Sequence, residues 1–104
     1  MSFQEKIKLH IKSACLFAYD QARKEHGDKF NSRREARTIL KEEMKEVLSQ
    51  IKDVKLGFGD VCGYINNVDA IEQKLCLIQG SAINAMMELA RIWAVCEKMK
   101  RGVE

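Results

Sequence analysis

The stretch TILKEEMKEVLSQI, Thr38 to Ile51, places Glu42, Glu43 and Glu46 within about one and a half turns of a predicted helix. Carboxylates at this spacing are suited to one chemistry above others, the ligation of a hard divalent cation. Mg²⁺ takes near-octahedral oxygen coordination and keeps several waters, so roughly two to four convergent carboxylates suffice. One helix cannot surround an ion, and the remaining donors must come from a facing helix. Glu88, within NAMMELARIWAV, is the first candidate, with Asp60 and the pair Asp69 and Glu72 behind it. The competing explanation is a solvated helix face, on which Lys41 and Lys45 offset a carboxylate repulsion of about 0.2–0.5 kcal/mol per pair.

The elements that would position these groups are helical. Phe3, Ile7, Ile11, Ala14, Cys15, Ala18 and Ala22 recur at helical spacing and predict a first helix over residues 3–25, stopped at His26 and Gly27. Ser32-Arg33-Arg34-Glu35 reads as a capping box, in which the Ser32 hydroxyl accepts from the Glu35 amide and the Glu35 carboxylate from the Ser32 amide. Leu40, Met44, Val47, Leu48 and Ile51 then form the expected buried stripe, with Gly57 as its stop. On the helical wheel Glu42 lies almost opposite that stripe, Glu46 well round the same side, and Glu43 on its flank.

Residues 56–67, LGFGDVCGYINN, read as a glycine-rich connection with room for a short helical turn. From Val68 a stripe through Ile71, Leu75, Ile78, Ala82, Met86, Leu89, Trp93 and Cys96 runs to residue 100. Gly80-Ser81 offers a break in it, with Ser81 as a new cap. The expected architecture is all-α, a three- or four-helix antiparallel bundle in one domain spanning 1–104.

Composition narrows the class further. At 46% apolar and 32% charged, the chain is neither membrane-embedded nor disordered. No apolar run approaches the roughly 20 residues of a membrane span, and the charged N-terminus lacks a signal-peptide core, so a cytoplasmic protein is expected. A net charge of +3 falls short of a nucleic-acid footprint. The basic residues Lys29, Arg33, Arg34, Arg37 and Lys41 would be the surface for such a partner, but no interleaved aromatics support them. Cys15, Cys62, Cys76 and Cys96 are widely spaced and read as small buried apolar residues; with His10 and His26 they have no zinc-site spacing.

The run LKEEMKEV, Leu40 to Val47, resembles the E-E-x-x-E signature helix of the MazG-like all-α nucleotide pyrophosphohydrolase superfamily. KFNSRREARTILKEEMKEV followed by ELARIWAVCEK is similar, in particular, to small MazG-like proteins encoded by phages and prophages. The likeness covers residues 29–54 and 82–100. It implies a MazG-like bundle, an Mg²⁺ cofactor, hydrolysis of nucleoside triphosphates to monophosphate and pyrophosphate, and a homo-oligomer, dimer or tetramer. Glu42, Glu43 and Glu46 match the first motif, and Glu88 matches the glutamate of a second, E-x-x-D. Arg91 stands where that motif has its aspartate, and an arginine cannot ligate a cation. Asp69-x-x-Glu72 has the spacing in reversed order.

By this likeness Glu43 and Glu46 would be catalytic, with Glu42 and Glu88 completing the metal ligands and Arg37, Lys41 and Arg91 countering phosphate charge. The alternative expectation is a non-catalytic helical interaction protein that oligomerises through an apolar face.

Overall fold

A computed structural model of the chain describes residues 1–63 and 68–102. Three helices follow in order: α1 (Phe3–His26), α2 (Arg33–Gly63) and α3 (Val68–Lys100). Contacts join α1 to α3 and α2 to α3.

The ends of α1 are set by local chemistry. The Ser2 Oγ accepts from the Glu5 amide at 3.2 Å, and the Ser2 amide donates to Glu5 Oε2 at 3.1 Å. This reciprocal box satisfies two of the amides that a helix start leaves open. At the other end Gly27, with φ of 84°, turns the chain into the left-handed region and donates to the Arg23 carbonyl. Arg23 Nε also donates to Asp28 at 2.8 Å, a bond that raises the pKa of the guanidinium further. At the start of α2 the Ser32 Oγ accepts from the Glu35 amide at 3.1 Å. That is the one half of the predicted box formed among the described residues.

Two compact units can be distinguished, Met1–Glu43 with Leu89–Glu104, and Met44–Glu88. In the first, Cys15, Tyr19, Phe30, Ala36 and Ala94 are buried. Lys98, only 4% exposed, lies 4.3 Å from the centre of the Phe30 ring, and Tyr19 is flanked by Arg23 and Arg101. Cation–π contact is what makes a nearly buried ammonium tolerable here.

The second unit is a hairpin of the two long helices. Fourteen residues forward along α2, from Glu46 to Asp60, are matched by fourteen back along α3, from Glu88 to Lys74, with Gly57 against Ile78 between them. The pairing is therefore antiparallel. The less exposed positions of this unit are Val47, Gln50, Val54, Gly57 and Val61 on α2, and Ala70, Ile71, Lys74, Ile78, Ser81, Ala82, Ala85 and Glu88 on α3. All of these except Ala70 and Ala82 follow a spacing that alternates between three and four residues, the frame of a coiled-coil seam, and Glu43 falls in the same register one step before Val47 on α2.

Two expected breaks are absent. α2 does not stop at Gly57 but continues to Gly63, so residues 56–63 of the predicted connection are helical. Residues 64–67 lie outside the described residues. A glycine inside a helix costs about 1 kcal/mol relative to alanine, but Gly57 lets α3 approach closely. A Cβ there would meet Ile78 Cγ1 at 2.7 Å. Nor does Gly80-Ser81 break α3, which is continuous from Val68 to Lys100, with Ile78 and Ala82 half-buried and Ala85 buried around the pair. A Cβ at Gly80 meets nothing within 4 Å. Gly80→Ala is therefore expected to stabilise the protein by about 0.5–1 kcal/mol. Thermal melting followed by circular dichroism checks this; a lower melting temperature would count against a regular helix at that position.

Candidate functional site

The heptad frame decides which acidic residues converge. Glu43 and Glu88 occupy seam positions, so each carboxylate is directed along the junction of α2 and α3 instead of outward. Glu88 is 6% exposed and Glu43 is half-buried. Glu46, one turn beyond Glu43 on the same unbroken helix, is exposed and faces Glu88 within the Met44–Glu88 unit. One carboxylate oxygen from each of Glu43, Glu46 and Glu88 lies within 4.8 Å of the others. Glu43 Oε2 is buried and has no hydrogen-bond partner among the described residues.

The carboxylates of Glu43, Glu46 and Glu88 repel one another pairwise, and Glu46 and Glu88 each have a further interaction. Two full negative charges at this separation repel by about 3 kcal/mol at an effective dielectric near 20. A buried carboxylate oxygen without a donor adds a desolvation cost of about 1–3 kcal/mol. A divalent cation among the three oxygens would remove both terms. The donor set fits such an ion: oxygen ligands only, from two helices, with Glu46 on the solvent side leaving room for water or phosphate.

The other predicted residues are placed differently. Glu42 is exposed and outside the group of three, while Arg37, Lys41 and Arg91 are all exposed. Asp60 is not a second source of ligands, because its carboxylate pairs with Lys74 at 3.2 Å. Asp69 and Glu72 line an open, shallow depression with Gln73, Cys76 and Leu77. No second group of acidic, histidine or cysteine ligands converges among the described residues. All four thiols are free. Against the expectation that they are buried apolar residues, only Cys15 is buried, and Cys62, Cys76 and Cys96 are exposed. Cys76 lies beside the seam of α3 and not in it, and Cys96 lies beyond its last position.

No family model, curated protein or solved structure matches the chain. The site therefore stands on its residues. What the apolar pattern did not indicate is that the seam runs through Glu43, Gln50, Lys74, Ser81 and Glu88. The signal was present as a second heptad frame, one residue behind the apolar one, that mixes small, β-branched and polar side chains. Periodicity weighted by hydrophobicity favours the other frame.

Proposed function

We propose that the chain is a metal-dependent, MazG-like nucleoside triphosphate pyrophosphohydrolase, or a nucleotide-binding relative of one, of phage or prophage type and acting in the cytoplasm as a homo-oligomer. The observation that carries this reading is the convergence of Glu43, Glu46 and Glu88 from two helices within 4.8 Å. These are three of the four acidic residues that the motif likeness singles out. Mg²⁺ held there would supply charge neutralisation for the phosphates and acidify a bound water. Glu43 and Glu88, in the seam, would be the anchoring ligands, and the exposed Glu46 would orient a water and accept its proton. Arg91 follows Glu88 by three residues on α3 and brings a positive charge to the end of the group where the family has a carboxylate. It subtracts a metal ligand and adds a phosphate partner, a change that favours nucleotide binding over a second metal ion. Arg37 and Lys41 contribute positive charge from the exposed side of α2.

The test is a titration of Mg²⁺ or Mn²⁺ against a panel of nucleoside and deoxynucleoside triphosphates, following pyrophosphate release and melting temperature together. A ligand at 100 times its Kd stabilises by about 2.7 kcal/mol. Release with at least one nucleotide supports the enzyme, and a metal-dependent shift without release supports the binding relative. Neither signal with any nucleotide would remove the reading. In that event the second reading, a non-catalytic interaction protein, is favoured by the large exposed apolar residues of all three helices. None of the helices is long and apolar enough among the described residues to cross a membrane.

A further inference from the structure

Helix α3 places a positive charge beside the three glutamates. The register that sets Glu46 against Glu88 sets Glu43, three residues back on α2, against Arg91, three residues on along α3. Glu88 and Arg91, at i and i+3, are also neighbours on the surface of one helix. Arg91 is exposed, as Glu46 is, and like Glu46 and Glu88 it has an interaction within the chain.

The heptad frame puts Arg91 and Glu46 on one flank. Beyond Glu88 the frame of α3 continues to the half-buried Ile92, and both helices run unbroken through these positions. Arg91 precedes Ile92 by one residue, as Glu46 precedes Val47. One residue is about 100° of rotation. Seen from one end of an antiparallel pair, one helix advances clockwise and the other counter-clockwise, and their seam directions are opposed. The same backward step therefore leads to the same side, with about 4.5 Å along the axis between the two levels. At the positions one residue before the seam, α2 carries Glu42, Glu46, Asp53 and Asp60, and Arg91 is the one cation among the described residues.

We propose that Arg91 is the resident cation of this acidic group: without ligand it competes with the metal for Glu46 and Glu88, and a polyphosphate draws it away, so that metal and polyphosphate bind cooperatively. This role rests on Glu43, Glu46 and Glu88 holding the metal as proposed. Three carboxylates within 4.8 Å attract any cation in reach. A guanidinium on Glu46 or Glu88 occupies oxygens that the ion needs and repels a second positive charge beside it. A metal-bound polyphosphate offers the same planar fork a bidentate partner of higher charge. Departure of Arg91 also frees Glu46 for the water. Each ligand thereby removes a cost that the other meets alone, and couplings of this kind span about 5- to 150-fold in affinity.

Two probes with opposite expected signs test this. Free Mn²⁺, followed through the electron paramagnetic resonance signal of the unbound ion, is expected to bind Arg91→Gln about tenfold more tightly than the unaltered chain. The one-to-one complex of Mn²⁺ with inorganic tripolyphosphate, followed by calorimetry, is expected to bind Arg91→Gln about tenfold more weakly. Arg91 is exposed, so glutamine there leaves the fold in place. A merely structural part for Arg91 would move both affinities in one direction. Arg91→Lys, which keeps the charge, should hold free Mn²⁺ within about threefold of the unaltered chain. Lys52→Gln removes the same charge from an exposed position farther along α2 and should change neither affinity. Equal binding of free Mn²⁺ by the unaltered chain and Arg91→Gln would overturn the role of Arg91 and leave the metal site standing. No binding of Mn²⁺ by either protein, alone or with tripolyphosphate, would remove the metal site and the role of Arg91 with it.

Discussion

Glu43→Gln is expected to raise the melting temperature of the metal-free protein and to abolish the stabilisation that Mg²⁺ or Mn²⁺ confers. Both effects have one cause. In the metal-free chain the Glu43 carboxylate adds a negative charge within 4.8 Å of two others and leaves a buried oxygen without a hydrogen-bond partner among the described residues. Glutamine keeps the shape, removes the charge and supplies an amide N–H that can donate to Glu46 or Glu88. The gain should be about 1–2 kcal/mol, or roughly 5–15 °C in a domain of this size. With metal present the sign reverses, because a neutral amide is a far weaker ligand for a hard cation. Glu42→Gln, on the exposed side of α2 and outside the group, should do neither. Melting curves of the three proteins with EDTA and with excess Mg²⁺ or Mn²⁺ decide the matter. Equal responses from the Glu42 and Glu43 variants would show that the seam position of Glu43 confers no special role.

Gly57→Leu should destabilise the hairpin by up to about 2 kcal/mol, and Ile78→Ala should restore much of the loss. A Cβ at position 57 would fall 2.7 Å from Ile78 Cγ1 and 3.3 Å from its Cδ1. Cγ1 is near the root of a β-branched side chain and has little freedom to withdraw. Leucine at position 57 therefore forces α2 and α3 apart at Ile78, with the Asp60–Lys74 pair one turn away. Overpacking of this kind costs about 1–3 kcal/mol, partly offset by about 1 kcal/mol of helix propensity recovered from glycine. Gly59→Leu is the control, since a Cβ there has open space within 4 Å and keeps only the favourable term. Urea unfolding of the two single variants and the Gly57/Ile78 double variant measures the coupling directly. Additivity in the double variant would mean that the two residues are not in contact in solution.

The helical class was legible in the sequence because its evidence is local. Absence of proline, long runs with helical period and few β-branched alternations all act within a few residues. The start of α2 at Ser32 was legible for the same reason, since a cap needs only a side chain and an amide three residues away. The reciprocal box at Ser2 and Glu5 is as local and has the same S-x-x-E spacing. Gly57 reads as a stop in the sequence and is helical in the structure, because glycine has two uses in helices, ending them and letting them approach. Which applies depends on Ile78, twenty-one residues away.

The glutamates divide along the same line. The sequence by itself determined that Glu42, Glu43 and Glu46 share one helix, and that Glu42 lies away from its packed side. It also ranked Glu88 first among the residues able to meet them, ahead of Asp60 and the Asp69–Glu72 pair. Only the tertiary structure decided that Glu43 and Glu88 sit in the seam, and that Met44, Leu48 and Ile51 do not. The physical reason is that a helix with two adjacent heptad frames can bury either. Local periodicity ranks the frames by hydrophobicity, but the close approach at Gly57 selects the one with small residues. The larger, more apolar frame is left on the surface.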